Sequence, residues 1–251
     1  MGAFRLMKTA YIVAKRDGLL SFVKHSLIYV AYEIHARWCD WALGVQTSRH
    51  MTRAELGFDE KSDNFKYSPT DYRSFQQIMK HCVNVKGGRD VFIDLGSGMG
   101  RVVIMAAMFP FARVIGVELS PELSEISKVN VARVQHRFAC KEVQIIQADA
   151  TQFEIPSDAS YVYFFNSFTG STLSKVLDNL YQSLLEKPRD LRILSANAPQ
   201  LEEEASRRPW MVKLQKFSSL TRFPYIVYDC RPVNAQSPAD CAVGAGASTP
   251  S

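Results

Sequence analysis

A glycine-rich turn follows directly on a short apolar segment in the first half of the chain. The segment ends at Asp94, and Gly96, Gly98 and Gly100 then alternate with other residues before a helical pattern begins at Arg101. Glycine lets the backbone turn tightly and approach a ligand without a side chain in the way. The helix that follows offers free N–H groups in its first turn. The pattern predicts a strand, a turn and a helix that together bind a nucleotide-like ligand.

The spacing distinguishes between two classes of cofactor that such a turn binds. A dinucleotide fingerprint, G-x-G-x-x-G, would place its third glycine at position 101, where this chain has Arg101. The carboxylate of Asp94, two positions before the first glycine, would repel a pyrophosphate but attract the cationic amino acid end of S-adenosylmethionine. The turn therefore favours S-adenosylmethionine over a dinucleotide.

Two further acids end the next two predicted strands. Glu118 ends the second strand, where its two oxygens can accept hydrogen bonds from both ribose hydroxyls of an adenosine. Asp149, followed by Ala150, ends the third strand, where an adenine amino group needs an acceptor; Asp149 would also fit an ordinary turn. Three acids at three successive strand ends form one rim of a parallel sheet.

Strand and helix patterns alternate along the chain around these acids. Strands are predicted at residues 90–94, 113–118, 143–147, 161–165 and 191–195, and helices at 101–108, 121–138 and 172–186. Ser68 and Pro69 are predicted to cap and begin an earlier helix. After a short acidic stretch, 202–204, two extended segments at 211–218 and 225–229 predict a hairpin at one sheet edge. The alternation predicts an α/β fold, with a mostly parallel seven-stranded sheet and helices on both faces.

The span from about residue 67 to residue 199 resembles a class I, Rossmann-like methyltransferase. The resemblance depends on the D-x-G-x-G-x-G motif from Asp94 to Gly100 and on the strand-end acids Glu118 and Asp149. It implies S-adenosylmethionine as cofactor, with the glycine turn at the methionine, Glu118 at the ribose and Asp149 at the adenine. The cofactor-binding residues expected from it are Asp94, Gly96, Ser97, Gly98, Gly100, Arg101, Glu118, Leu119, Asp149 and Ala150.

The segment after the fourth predicted strand, F-F-N-S-F-T at residues 164–169, lacks the prolines found there in amino-directed methyltransferases. It resembles the Asn-containing, Phe-rich loop of the non-SET histone-lysine methyltransferases related to the disruptor of telomeric silencing, and of their bacterial relatives. The segment Y-S-P-T at residues 67–70 resembles the one that precedes the core in such proteins. From its position at the end of the fourth predicted strand, we expect the Asn166 carbonyl to accept a hydrogen bond from an attacking amine. Phe168 and Tyr67 are then expected to wall the site.

Three functional readings follow from these motifs. The first is a methyltransferase acting on a protein side-chain amine such as lysine. The second is a methyltransferase acting on a small-molecule or lipid hydroxyl, with the apolar N-terminal helix as a lid. The third is a cofactor-binding regulatory module without transfer activity. Phe164 and Phe165 are expected to pack at the strand end, and no histidine cluster predicts a metal site.

The N-terminal segment, residues 4–41, has a helical pattern with one apolar stripe. Its members recur at three- and four-residue spacing: Leu20, Val23, Leu27, Ala31, Ile34 and Trp38. We expect the stripe to pack on the following domain; contact with a membrane or a partner is the alternative. Residues 1–50 carry seven Lys or Arg against three Asp or Glu, so this segment supplies +4 of the chain's net charge of +5. Such an excess favours an anionic surface, either lipid or nucleic acid, or is a solvated face.

Composition sets the broad class of the protein. With 47% hydrophobic and 22% charged residues in 251, the chain can bury one large core, which excludes disordered and collagen-like proteins. We expect an N-terminal helical extension and loop (1–66), a methyltransferase domain (67–233) and a disordered tail (234–251). Five widely separated cysteines favour a reducing compartment, and no leader peptide or membrane span is expected. The predicted location is cytoplasmic, with peripheral membrane association left open.

Overall fold

The computed structural model describes residues 18–52, 54–57, 67–165, 167–196, 199–217 and 225–233. Residues 4–17 of the predicted N-terminal helix and the predicted disordered tail, 234–251, lie outside the described residues. The strands are β1 (Val91–Leu95), β2 (Arg113–Glu118), β3 (Glu142–Gln147), β4 (Ala159–Phe165), β5 (Leu191–Ala196), β6 (Met211–Phe217) and β7 (Tyr225–Cys230). The helices are α1 (Leu19–Leu43), α2 (Tyr72–Cys82), α3 (Arg101–Ala107), α4 (Pro121–Val134), α5 (Gly170–Glu186) and α6 (Pro199–Ser206).

One sheet contains the seven described strands, in the order β3-β2-β1-β4-β5-β7-β6. The strands from β3 to β5 pair in parallel, and β7 pairs antiparallel with both β5 and β6. The predicted parallel sheet with a hairpin at one edge is therefore confirmed. The chain runs from β1 outwards to β3 and then returns to β4 on the other side of β1. Ligands of open α/β sheets bind in the crevice outside the carboxyl ends of the strands at such a reversal.

Every residue of β1 is buried, because helices cover both faces of the sheet. On one face α5 contributes a leucine-rich stripe with three- and four-residue spacing, which packs against Ile93 and Leu95. On the other face α2 and α3 surround an aromatic cluster in which the ring of Phe75 meets Phe92 and Tyr163 edge-on. These two cores fix the carboxyl end of β1, where the glycine turn begins.

The structure corrects the predicted start of the helix before β1. The helix begins at Tyr72 rather than Pro69, and its cap is Asp71, whose carboxylate accepts a hydrogen bond from the Ser74 N–H at 2.8 Å. Residues 68–70 are not helical because the carbonyl and hydroxyl of Thr70 bind groups on other elements. Helix α6, which contains the acidic stretch at residues 202–204, was not predicted, because its polar sequence shows no helical periodicity.

Packing of α1 is also corrected. Its side chains that pack on the sheet's hydrophobic core are Ala36, Cys39 and Leu43, and Asp40 is buried beside them, all in the last two turns. The predicted packing stripe is instead exposed at its described members Val23, Leu27, Ala31, Ile34 and Trp38; the side chain of Leu20 lies outside the description. Among the described residues, no helix has both the length and the apolar character that crossing a membrane requires.

Candidate active site

A cleft opens at the carboxyl ends of β1, β2 and β4. Most residues predicted for the site line it: Tyr67, Asp94, Gly96, Ser97, Arg101, Glu118, Leu119, Asp149, Ala150 and Phe168. Gly98 and Gly100 lie in the turn beneath the cleft. Asn166 lies outside the described residues, so its role stays a prediction. The structure thus brings residues from five separate segments together at one place.

The glycine turn is held to β2 and has no space for a Cβ atom at any of its three glycines. The N–H groups of Gly96 and Ser97 donate to the Val117 carbonyl at 2.8 and 3.0 Å. Gly98 has a φ of 55°, and a Cβ there would overlap the Tyr67 ring. Both the backbone conformation and this close approach therefore require glycine at position 98.

The carboxylate of Glu118 supports the turn from the end of β2. One oxygen accepts a hydrogen bond from the Gly98 N–H at 2.7 Å, and the other from the Ser120 N–H at 2.8 Å. Burial raises the pKa of Glu118, and these backbone donors oppose the rise. Each carboxylate oxygen can accept more than one hydrogen bond, so Glu118 retains acceptor capacity for a ligand.

Asp94 is the buried acid that lines the cleft at the end of β1. Its side chain is only 3% exposed, and no described residue donates a hydrogen bond to its carboxylate. Burial, and then the negative charge of Glu118, raise the pKa of Asp94 well above its usual value. Burying a carboxylate without a partner is costly. The arrangement is suited to a cationic ligand that also donates hydrogen bonds.

The loop after β3 forms the opposite rim of the cleft. Asp149 is exposed, and one of its oxygens accepts hydrogen bonds from the N–H and hydroxyl of Thr151 at 2.9 and 2.8 Å. Asn179 on α5 donates to the carbonyls of Ala150 and Phe153 at 3.4 and 2.7 Å. The loop therefore has a defined shape, and Asp149 has a second oxygen available at the cleft.

Arg101 lines the back of the cleft, but its guanidinium bonds to protein groups. Its Nε donates to the Thr47 hydroxyl at 2.7 Å, and Nη1 donates to the Thr70 carbonyl at 2.9 Å. Its Nη2 lies 2.7 Å from the Ser48 hydroxyl and 3.4 Å from Oδ1 of Asp40. Arg101, at 3% exposure, thus ties α3 to both segments that precede the sheet.

Asp40 is the acid that balances Arg101, and the sequence did not reveal it. Its carboxylate accepts hydrogen bonds from the Tyr72 hydroxyl at 2.6 Å and from the Thr47 N–H and hydroxyl at 2.7 Å each. The Arg101 guanidinium also lies over the Tyr72 ring, 4.4 Å from its centroid. The sequence did contain one signal: Asp40 lies on the same helical face as Ala36 and Leu43, and an acid on an apolar face indicates a buried partner.

Aromatic residues form the wall of the cleft around its opening. The Tyr67 hydroxyl donates to the Thr47 carbonyl at 2.9 Å, and burial raises its pKa, so the phenol stays protonated. Phe168 packs against Phe164, with ring centroids 6.1 Å apart. Phe164 lies in the core as expected, and Phe165 packs against the core of the other sheet face as expected while it also lines the cleft. Sequence reasoning also missed the lining residues Thr70, Tyr163, Ser167 and Thr172.

The family described as "Histone methylation protein DOT1" matches residues 52–189. The chain belongs to the DOT1 family. The match covers the glycine turn, Glu118 and Asp149, and it ends just after α5. Over 53 residues the chain is 49% identical to a Drosophila melanogaster protein named "Histone-lysine N-methyltransferase, H3 lysine-79 specific". That alignment covers 21% of this chain and 3% of the relative, so the chain spans a small part of that protein's length.

Solved structures show that this DOT1-family chain has the class I methyltransferase fold. An RNA methyltransferase from Salinibacter ruber, in complex with S-adenosyl-L-homocysteine, has a TM-score of 0.50 and is 20% identical. The likeness covers 70% of this chain and 99% of that one. A putative S-adenosylmethionine-dependent methyltransferase from Methanococcus maripaludis has a TM-score of 0.52 at 14% identity, covering 65% and 86% of the two chains. The predicted fold and the predicted family resemblance are confirmed.

Proposed function

We propose that this chain is an S-adenosylmethionine-dependent methyltransferase that methylates a lysine side chain of a protein. Membership of the DOT1 family supports the reaction class. The name of the Drosophila relative, which specifies a histone lysine, supports the acceptor, although the similarity spans only 53 residues. The fold supports the place of the reaction, at the carboxyl ends of the parallel strands.

The observation that carries the proposal is the carboxylate of Asp94, which is buried in the cleft and receives no hydrogen bond from any described residue. An ammonium group supplies a positive charge and three hydrogen-bond donors, which this carboxylate lacks among the described residues. The methionine end of S-adenosylmethionine carries such a group, and Asp94 and Gly96, which line the same cleft, would hold it. The residues present therefore fit the cofactor that the family implies.

In this proposal the other two acids, Glu118 and Asp149, bind the adenosine part of the cofactor. Glu118 uses its spare acceptor capacity for the ribose hydroxyls, while its existing bonds hold the glycine turn. Asp149 accepts a hydrogen bond from the adenine amino group through the oxygen that does not bind Thr151. Leu119 and Ala150 line the same end of the cleft and offer apolar contact to the adenine ring.

The chain's contribution to transfer is alignment and exclusion of water. S-adenosylmethionine supplies a methyl group that is already activated by its sulfonium. Tyr67 and Phe168 wall the cleft, and their ring faces favour the positively charged sulfonium that carries the methyl group. The attacking amine is neutral and loses a proton to solvent when it is methylated. Tyr67 is a protonated donor to a carbonyl, so it acts as a wall and not as a base. Asn166 is proposed, from the sequence alone, to accept a hydrogen bond from the amine.

Methyl-labelled S-adenosylmethionine tests this function when it is incubated with the chain and with core histones, nucleosomes or a fractionated lysate. We expect label in protein, recovered as methyl-lysine after acid hydrolysis, and none with Asp94→Ala. Label confined to lipid or small molecules would overturn the lysine assignment in favour of O-methylation. Cofactor binding without transfer to any fraction would point to a regulatory module.

A further inference from the structure

The first helix presents an apolar surface to solvent. Six side chains of α1 recur at spacings of four, three, four, four and three residues and form one stripe. This α1 stripe consists of Val23, Leu27, Val30, Ile34, Trp38 and Trp41, which are between 44% and 79% exposed. At 100° per residue, all six lie within an arc of about 80° on the helix surface.

The α1 stripe faces away from the other elements that the structure describes. Ala36, Cys39 and Leu43, which pack on the hydrophobic core, and the buried Asp40 lie on the opposite side of the helix. Asp40 is held there by Tyr72 and Arg101, so the helix cannot rotate to bury the stripe without breaking buried hydrogen bonds. A continuous apolar surface that a fold leaves exposed in this way marks an interaction site.

The charges on α1 select the kind of partner. Both of its acids point elsewhere: Asp40 is buried, and a Glu33 oxygen lies 3.4 Å from the His50 ring. Arg37, exposed beside Trp38, borders the stripe. Over its whole length α1 has two basic and two acidic residues, but residues 1–50 together have a net charge of +4. Two copies of this N-terminal segment would therefore repel each other, while an anionic surface would attract it.

We infer that the α1 stripe docks on an anionic lipid surface, with the helix lying in the plane of the interface. The stripe runs over 19 residues, about 27 Å of helix, and faces one way only, which suits a helix that lies on a bilayer. Tryptophan is enriched at the boundary between headgroups and hydrocarbon, and basic residues add attraction to anionic lipids. Docking would hold the DOT1-type domain close to the membrane surface.

Flotation of the full chain with lipid vesicles tests this inference. We expect it to float with phosphatidylcholine vesicles containing phosphatidylglycerol, less with phosphatidylcholine alone, and less in high salt. The double variant Trp38→Ser/Trp41→Ser is expected to bind at least about tenfold more weakly. Tryptophan emission should shift to the blue on binding, because Trp38 and Trp41 are exposed while the third tryptophan, Trp210, is already buried.

A matched double variant, Val129→Ser/Leu185→Ser, is the control. Both residues are exposed apolar positions on other helices, α4 and α5, and we expect unchanged vesicle binding. Equal thermal melting of the two double variants and the wild type shows that the fold is retained. The inference is overturned if the wild type does not float with anionic vesicles. It is equally overturned if the Trp38→Ser/Trp41→Ser variant floats to the same extent as the wild type. It is also overturned if light scattering finds a lipid-free dimer that the tryptophan substitutions abolish.

Discussion

Nη2 of Arg101 lies 3.4 Å from Oδ1 of Asp40, and both side chains are buried although 61 residues separate them. Arg101 is the first residue of α3, directly after the glycine turn, and Asp40 lies near the end of α1. The pair therefore joins the N-terminal helix to the turn that we assign to the cofactor. Position 101 is also where a dinucleotide fingerprint would have its third glycine.

We expect Asp40→Ala to lower the free energy of unfolding by about 3–5 kcal/mol, since it leaves the Arg101 charge buried without its acid. Urea unfolding measures this. Asp158→Ala is the control, because Asp158 pairs with Arg113 at 2.8 Å but is more than half exposed. Its loss should cost less than about 1 kcal/mol. Equal effects of the two substitutions would show that the buried pair contributes nothing special to stability.

Gly98→Ala tests the close approach of Tyr67 to the glycine turn. The substitution combines a positive φ with overlap against the Tyr67 ring, so we expect weaker binding of S-adenosylhomocysteine as well as lower stability. Gly88→Ala is the matched control: its φ is 72°, but nothing lies within 4 Å of an added Cβ. Gly88→Ala should lower the free energy of unfolding but leave the affinity for S-adenosylhomocysteine unchanged. Calorimetry that finds unchanged affinity in Gly98→Ala would refute the close-approach argument.

Glu118→Gln tests the support that the second acid gives to the turn. Both Glu118 oxygens accept backbone N–H groups, and a glutamine amide has one oxygen and one NH₂. One backbone donor then faces another donor, which should cost about 1–3 kcal/mol and weaken S-adenosylhomocysteine binding. Asp149→Asn, at an exposed position, should leave the unfolding free energy within about 0.5 kcal/mol of the wild type. Chemical denaturation measures the unfolding free energy of both variants. Comparable losses in the two would contradict the support that Glu118 gives to the turn.

The ionisation of Asp94 predicts how stability of the ligand-free protein depends on pH. Its pKa is raised on folding, so the folded protein holds this proton more tightly than the unfolded chain. The contribution of Asp94 to the free energy of unfolding therefore falls as pH rises from about 4 towards the raised pKa. Asp94→Asn should abolish this fall and raise the free protein's Tm near neutral pH by roughly 2–4 °C. A lower Tm for Asp94→Asn at every pH would contradict the unpaired carboxylate.

Much of the fold and most of the cleft could be predicted because they depend on local signals. Apolar runs that end in Asp94, Glu118 and Asp149 predict strands, and the glycines predict the turn whatever surrounds it. Parallel pairing then brings the strand ends to one edge, so their side chains meet without further information.

Features that depend on tertiary contacts could not be predicted. Helix α2 begins at Tyr72 and not at the predicted Pro69, because Thr70 forms hydrogen bonds with Arg101 and Tyr163. The exposed face of α1 follows from Asp40, which turns the opposite face inwards. A periodic stripe shows which residues share a face but not what covers that face. The division between residues 66 and 67 stays a prediction.

Calorimetric titration of the ligand-free chain with S-adenosylhomocysteine tests the central claim most directly. We predict one site per chain, at least about thirtyfold weaker binding in Asp94→Ala, and no heat from a nicotinamide dinucleotide. Asp149→Asn, at the exposed rim, should lose less affinity than Asp94→Ala. Absence of binding, equal affinity in Asp94→Ala, or saturable binding of the dinucleotide would each contradict the assignment of this cleft to the methyl donor.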